Sequence, residues 1–124
     1  MGQHSIKVGI ADDDVSVRAG LRRYFSASDE VKVVGEASDA EEAIALVKTG
    51  ELGVLLLDVH MPGRSGIDVL PDLLRIAPRL RVIVMSGHSG QEIAIAARRA
   101  GACAYLAKSA GPVVALEAVK SAVA

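Results

Sequence analysis

The chain has 124 residues, of which 51% are hydrophobic and 23% are charged, a composition that fits one compact domain and is too apolar for a disordered chain. Its 14 Lys and Arg against 15 Asp and Glu leave a formal charge of −1, and it has only two Tyr, one Phe and no Trp. Direct nucleic-acid binding is therefore not expected. No apolar stretch is long enough to span a membrane and the N-terminus lacks a signal-peptide layout, so we expect a soluble, cytoplasmic protein.

Short apolar runs alternate with segments of helical period along the chain. Runs rich in Val, Ile and Leu predict five strands, at residues 6–11, 31–37, 53–58, 80–86 and 103–107, and the segments between and after them predict five helices. This alternation is typical of an α/β domain with a parallel sheet and helices on both faces. Strand two carries Lys32 and Glu36, whereas strand three is apolar up to Asp58, which predicts an edge strand and a central strand. The expected fold is doubly wound and flavodoxin-like, (βα)5, with strand order 2-1-3-4-5.

Local signals predict several helix ends. Asp14 is placed to cap helix one. Ser38 and Glu41 have the spacing of a capping box at the start of helix two, and Gly50 stands where that helix should end. Gly101 is expected to end helix four, predicted at 91–100.

Two further positions carry structural expectations. Pro71 lies inside the third helical segment, predicted at 67–76, so that helix is expected to start late or to bend. Cys103 is the one cysteine and cannot form an internal disulfide, so we expect it to pack in the core as a small apolar residue.

Polar residues cluster at the carboxyl ends of the predicted strands. They are Asp12, Asp13 and Asp14 after strand one, Asp58 closing strand three, Ser86 closing strand four and Lys108 after strand five. In the expected strand order these ends meet at one crevice. Four acids beside one ammonium would repel one another by about 1 kcal/mol per pair even in bulk water, so a cation is implied. Ligands that are all oxygen favour Mg²⁺ over zinc.

The residues and motifs together resemble the receiver domain of two-component response regulators. The resemblance rests on Asp12 and Asp13 after strand one, Asp58 in LLLDVHMPGRSG, Ser86 in VIVMSG, and Tyr105 and Lys108 in AYLAK. It covers essentially the whole chain. The segments ADDDVSVRAGL and RRAGACAYLAKS further resemble receivers of LuxR-type (NarL/FixJ) transcription regulators. The resemblance implies that residues 1–124 are a single receiver domain and that a DNA-binding effector domain would lie beyond this chain.

The resemblance also implies a reaction. Asp58 would take a phosphoryl group from a sensor histidine kinase, and Mg²⁺ would be held by Asp13, Asp58 and the backbone carbonyl of His60, with Asp12 acting mainly through a metal-bound water. Lys108 would contact a phosphoryl oxygen. The domain would catalyse its own phosphorylation and dephosphorylation without being a conventional turnover enzyme.

A conformational switch is the expected output. The Ser86 hydroxyl would contact another phosphoryl oxygen, and its inward movement would let Tyr105 rotate beneath helix four. A partner would then recognise the face of helix four, strand five and helix five. The partners implied are a sensor histidine kinase, the DNA-binding effector domain and a phosphorylation-dependent homodimer.

Some residues depart from the family or have a plainer interpretation. Ser109 follows Lys108 where the family commonly has Pro, which leaves the isomer of that peptide bond open. His60 and His88 flank the expected site and are expected to face solvent. Three arginines of helix one are interpreted as a solvated charged face, with kinase docking as the alternative: Arg18, Arg22 and Arg23.

Three other functions are alternatives to this interpretation. A haloacid-dehalogenase-type phosphatase also uses a strand-end Asp with Mg²⁺, but it expects a second acid where His60 stands. A nucleotide or flavin binder would need a glycine-rich turn after strand one, which instead leads into Asp12 and Asp13. A phosphorylation-independent interaction module stays open and would bind its partner equally well with Asn at position 58.

Overall fold

The computed structural model describes residues 5–87 and 90–124. Strands and helices alternate along it: β1 (Ile6–Ala11), α1 (Val15–Phe25), β2 (Val31–Ala37), α2 (Ala40–Lys48), β3 (Val54–Asp58), α3 (Gly66–Ile76), β4 (Arg81–Ser86), α4 (Gln91–Ala100), β5 (Ala104–Ala107), a 3₁₀ turn (Lys108–Ala110) and α5 (Gly111–Ala122). Every predicted strand is present. The first two have the predicted bounds, and the other three begin one residue later than predicted.

The strands form one parallel sheet in the order β2-β1-β3-β4-β5, which confirms the predicted topology. Its register aligns the carboxyl ends of neighbouring strands, because Ala11 pairs with Leu57, Asp58 with Met85 and Ser86 with Ala107. Side chains that follow β1, β3, β4 and β5 therefore meet along one edge of the sheet.

The sheet separates two apolar clusters. Alternate residues of β3 point to opposite faces, so Leu55 and Leu57 join one cluster while Val54 and Leu56 join the other. The first cluster includes buried residues of α2, α3 and α4: Ala43, Val47, Val69, Leu73 and Ala97. The second includes buried residues of α1 and α5: Leu21, Phe25, Ala115 and Val119. All of β3 is buried, as expected for a central strand covered on both faces.

Polar side chains define the helix starts. Asp14 caps α1, as predicted, and its side chain accepts from two first-turn N–H groups. The predicted capping box of Ser38 and Glu41 is wrong by one residue: Asp39 caps α2 by accepting from the Glu42 N–H at 2.8 Å. The Glu42 carboxylate in turn accepts from the backbone N–H and the hydroxyl of Ser38, both at 2.7 Å. Glycines with positive φ follow α2 and end α4 as predicted, at Gly50 and Gly101.

The late start expected for α3 was wrong. The helix begins at Gly66, one residue earlier than predicted, and contains Pro71 in its interior. Pro71 is exposed, whereas Val69, Leu70 and Leu73 are fully buried. Burial of this apolar face offsets the one backbone hydrogen bond that the proline ring removes.

The expectation for Cys103 was also wrong, since its side chain is exposed. Its backbone N–H donates to the Val82 carbonyl at 2.9 Å, and it is the preceding Ala102 that is buried. The described residues contain no cis peptide bond, so the Lys108–Ser109 bond is trans. No helix in residues 5–87 or 90–124 is long and apolar enough to cross a membrane.

Candidate functional site

The connection from β1 to α1 places Asp12 at the carboxyl edge of the sheet. Asp12 is fully buried. Its N–H donates to the Ala37 carbonyl at 2.9 Å, which extends the β1–β2 pairing by one residue. Its Oδ1 accepts from the Asp14 N–H at 2.9 Å, an Asx-type turn that leads into α1. The next residue, Asp13, is exposed.

Asp58 is the last residue of β3 and only 1% of it is exposed. Its Oδ1 accepts from the His60 N–H at 3.2 Å. Just beyond the strand, the Val59 N–H donates to the Met85 carbonyl at 3.0 Å, which keeps the chain beside β4 as it turns. The central strand thus delivers a carboxylate into a buried position next to Asp12.

Lys108, the residue after β5, contacts both buried carboxylates. It begins the 3₁₀ turn after β5, and its Nζ lies 2.8 Å from Asp12 Oδ2 and 3.0 Å from Asp58 Oδ2. Within the described part of the chain, neither oxygen accepts a hydrogen bond from any other group. Two buried acceptors therefore retain capacity for a further ligand.

The acidic side chains form a cluster of the kind that holds a hard cation. One carboxylate oxygen each from Asp12, Asp13 and Asp58 lies within 4.8 Å of the others. All three donors are oxygen, the ligand type that Mg²⁺ prefers, and such sites use few carboxylates and keep several waters. One ammonium leaves part of this negative charge uncompensated. The residues therefore fit a divalent cation.

Burial and charge shift the ionisation of two of these groups. Burial raises the pKa of Asp58, and the charge of Asp12 adds to the rise, while the hydrogen bond from Lys108 opposes it. For Lys108, burial disfavours the ammonium, but hydrogen bonds to Asp12 and Asp58 outweigh it, so that the lysine pKa is raised above 10.5. Lys108 is therefore charged at neutral pH.

Other predicted site residues lie around this centre. Ser86 is fully buried at the end of β4 and pairs in register with Ala107, the residue before Lys108. His60 is exposed, as predicted. Tyr105 is half-buried in β5 and packs against the apolar cluster shared by α2, α3 and α4. His88 lies outside the described residues.

Two residues at the site were not predicted from the sequence. Arg18, interpreted above as part of a solvated face, donates from Nη1 to the Asp12 carbonyl at 2.6 Å, and its Nε pairs with Glu36 at 3.1 Å. Gly66 packs so closely behind Asp58 that a Cβ there would lie 2.1 Å from the Asp58 carbonyl oxygen. Gly66 was visible only as part of the motif around Asp58. No sequence signal distinguished Arg18 from the other two arginines of helix one.

Most of the chain matches a known family. Residues 8–120 match the response regulator receiver domain. The chain belongs to this family. Receiver domains are signalling modules rather than conventional enzymes.

Curated relatives of this receiver domain are response regulators. Response regulator UvrY of Escherichia coli is 34% identical over 116 residues, which are 94% of this chain and 53% of that protein. The DNA-binding transcriptional activator DevR/DosR of Mycobacterium tuberculosis is 38% identical over 103 residues, which are 83% of this chain and 48% of that protein. The receiver domain thus spans about half the length of these relatives.

Two solved structures are similar to this receiver domain over most of its length. A LuxR-family two-component response regulator from Aurantimonas sp. SI85-9A1 superimposes with a TM-score of 0.89 at 29% identity, over 94% of this chain and 84% of that one. The CheX–CheY–BeF3–Mg²⁺ complex from Borrelia burgdorferi gives a TM-score of 0.88 at 25% identity, over 96% and 90% of the two chains.

Proposed function

We propose that this receiver domain accepts a phosphoryl group on Asp58 and thereby controls a LuxR-type transcription effector. One observation carries the proposal. The Asp58 carboxylate is buried at the carboxyl edge of the sheet, 3.0 Å from the Lys108 ammonium and within a cluster of three acids. This arrangement joins a nucleophile to the positive charge that phosphoryl transfer needs.

Asp58 acts as the nucleophile in its ionised form. A carboxylate oxygen of Asp58 forms a bond to phosphorus while the P–N bond to the histidine of a sensor kinase breaks. The electron pair of that bond leaves with the imidazole, which takes a proton from solvent. The Lys108 ammonium favours ionised Asp58 and so opposes the burial that raises the Asp58 pKa. Hydrolysis of the resulting acyl phosphate by water restores the carboxylate, so the domain takes part in its own phosphorylation and dephosphorylation.

Mg²⁺ is the cofactor that the donor set fits. Asp13, Asp58 and the backbone carbonyl of His60 would hold it, and Asp12 would contribute through water. When bound, the ion supplies positive charge that offsets the negative charge of the phosphoryl oxygens. The buried and incompletely satisfied Oδ2 atoms of Asp12 and Asp58 support this assignment.

Lys108 and Ser86 complete the proposed contacts to the phosphoryl group. The ammonium donates to one phosphoryl oxygen, and the Ser86 hydroxyl donates to another. Ser86 ends β4 and Tyr105 lies in the neighbouring strand, paired with Val84. Movement of Ser86 toward the phosphoryl group therefore couples to Tyr105 and alters the face formed by α4, β5 and α5.

The proposal includes three partners. A sensor histidine kinase is the phosphoryl donor, a DNA-binding effector domain receives the signal, and phosphorylation promotes a homodimer. The relatives support the effector domain, because they are about twice as long as this receiver domain and one is named as a DNA-binding transcriptional activator.

Intact mass spectrometry tests the proposal. Wild type and the Asp58→Asn and Asp68→Asn variants are incubated with Mg²⁺ and acetyl phosphate. Asp68 is an exposed acid in the first turn of α3 and is not a member of the acidic cluster, so it is the matched control. We expect a single labile adduct with the mass of one phosphoryl group on wild type and on Asp68→Asn, and none on Asp58→Asn.

Other outcomes would contradict the proposal. An adduct on Asp58→Asn would exclude Asp58 as the acceptor. No adduct on wild type from acetyl phosphate, from phosphoramidate or from a kinase would favour the phosphorylation-independent module. Repeated turnover of a general phosphatase substrate would favour the phosphatase.

A further inference from the structure

Arg18 joins the acidic site to two neighbouring elements. Its Nη1 donates to the Asp12 carbonyl oxygen at 2.6 Å and its Nε pairs with Glu36 of β2 at 3.1 Å. Its side chain is only 17% exposed. A guanidinium presents several donors in a fixed planar fork, so it can hold two acceptors in one geometry.

The Asp12 carbonyl belongs to the peptide that carries Asp13. On the other side of Asp12, its N–H is held by the Ala37 carbonyl. The Asp12 backbone is thus held between β2 and Arg18. Because Asp13 is exposed, little packing restrains its side chain, and the position of its carboxylate depends on the orientation of this peptide.

We propose that Arg18 is a positioning residue for the metal site, an inference that rests on the proposed function. By holding the Asp12 carbonyl, Arg18 fixes the peptide between Asp12 and Asp13 and with it the separation of the two carboxylates. Glu36 orients the guanidinium. Partners that orient metal ligands commonly change metal affinity by about 10- to 100-fold when they are removed.

Charge alone predicts the opposite effect. The Arg18 cation lies close to the acidic cluster and repels a bound divalent cation, so its neutralisation alone would tighten metal binding. Loss of positioning would weaken metal binding. The direction of the change in affinity therefore separates the two roles.

Arg22 provides a matched control. It lies one turn further along α1, and its Nη1 pairs with the other oxygen of the same Glu36 carboxylate. Among its contacts in the described part of the chain, none is to Asp12. Arg22→Met therefore removes the same charge as Arg18→Met, and a pairing with the same glutamate, while leaving the Asp12 contact in place.

Mn²⁺ titration of the unphosphorylated, metal-free protein tests the inference, with free Mn²⁺ measured by electron paramagnetic resonance. The variants are Arg18→Lys, Arg18→Met, Arg22→Lys and Arg22→Met, each checked for cooperative unfolding. We expect both Arg18 variants to bind Mn²⁺ about tenfold or more weakly than wild type, and both Arg22 variants to stay within about twofold. Lysine keeps the charge but not the two-acceptor fork, so Arg18→Lys isolates geometry.

A second readout needs no metal. The Asp14 N–H donates to Asp12 Oδ1, so its hydrogen exchange reports whether the turn is held. We expect faster exchange at the Asp14 amide in the Arg18 variants and unchanged exchange in the Arg22 variants.

Three results would overturn the inference. The first is Mn²⁺ binding by Arg18→Met as tight as wild type or tighter. The second is equal weakening in the Arg18 and Arg22 variants, which would assign the effect to Glu36 pairing alone. The third is a wild-type protein that binds no Mn²⁺, which would also contradict the proposed metal site. If the wild type binds Mn²⁺ and the Arg18 variants bind it with the same affinity, only the positioning role is excluded.

Discussion

The Lys108 ammonium bridges two buried carboxylates, at 2.8 Å from Asp12 and 3.0 Å from Asp58. These carboxylates stand at the ends of neighbouring strands and would repel each other without it. Lys108 thus has a role before any phosphoryl group arrives, because it stabilises the acidic cluster in the resting state. The same position places the ammonium beside any group attached to Asp58.

Replacing Lys108 by Met should destabilise the metal-free protein. The loss leaves buried carboxylate oxygens of Asp12 and Asp58 without their cation, and we expect about 1–3 kcal/mol less stability at pH 7. The pKa of Lys108 is raised above 10.5, so its contribution is fully present at neutral pH and is lost only as the pH rises through the folded-state value. Urea denaturation in EDTA measures the change.

Lys120→Met is the control for Lys108→Met. Lys120 pairs with Glu30 at 3.2 Å and with Glu117 at 3.4 Å, and both glutamates are well exposed. Such surface pairs contribute about 0–1 kcal/mol. Equal losses in the two lysine variants would show that the buried position of the carboxylates adds nothing.

Asp58→Asn should remove a loss of stability that the wild-type protein shows as the pH rises. Burial raises the pKa of Asp58 above 3.8, so the folded state binds a proton more tightly than the unfolded state does. Stability of the wild type therefore falls as the pH rises through the window that begins near 3.8, by at most about 1.4 kcal/mol per pH unit. In EDTA we expect Asp58→Asn to be more stable than wild type at pH 7 and this advantage to shrink as the pH falls toward 3.8. Thermal unfolding across this pH range checks it, and an advantage independent of pH would contradict it.

The convergence of distant residues could be predicted from the sequence because it depends only on topology. Asp12, Asp58 and Lys108 each end or follow a strand, and the carboxyl ends of parallel strands meet at one edge. Strand boundaries and strand order were enough to bring these three residues together. No side-chain conformation had to be known.

Features that depend on side-chain packing could not be predicted. An arginine on a helix has the same sequence pattern whether it faces solvent or, like Arg18, reaches a backbone carbonyl. The capping box was wrong by one residue because Ser38 and Asp39 are both good caps and two glutamates follow in succession. Whether the Cys103 side chain is buried depends on which residue just before β5 faces the core. A run of small apolar residues does not show which one that is.

Asp13→Asn should abolish most of the stabilisation by Mg²⁺. A ligand that binds only the native state stabilises it by about 2.7 kcal/mol at one hundred times its dissociation constant. Asp13 contributes a carboxylate oxygen to the acidic cluster, so we expect the Mg²⁺-induced rise in Tm to be largely lost. Asp14→Asn is the neighbouring control, because Asp14 caps α1 and Asn is an equally good cap. Equal losses in the two variants would show that net charge, and not a ligand position, governs binding.

Gly66→Ala tests how closely α3 must approach the end of β3. The added Cβ would lie 2.1 Å from the Asp58 carbonyl oxygen and 3.1 Å from Leu57 Cγ. The nearest atom is backbone, so Asp58 or the start of α3 must move. We expect a loss of about 1–3 kcal/mol together with slower phosphorylation at Asp58, measured by urea denaturation and by the time course of intact mass with acetyl phosphate.

Gly20→Ala is the matched control for Gly66→Ala. Gly20 lies in α1, and a Cβ there meets nothing within 4 Å. Alanine at an open helical position should stabilise by about 0.5–1 kcal/mol and leave phosphorylation unchanged. Opposite signs of the two stability changes would assign the Gly66 effect to its contact with Asp58. A stabilised Gly66→Ala variant would show that α3 can retreat from β3 freely, and that the position of the Asp58 carboxylate is set by the sheet alone.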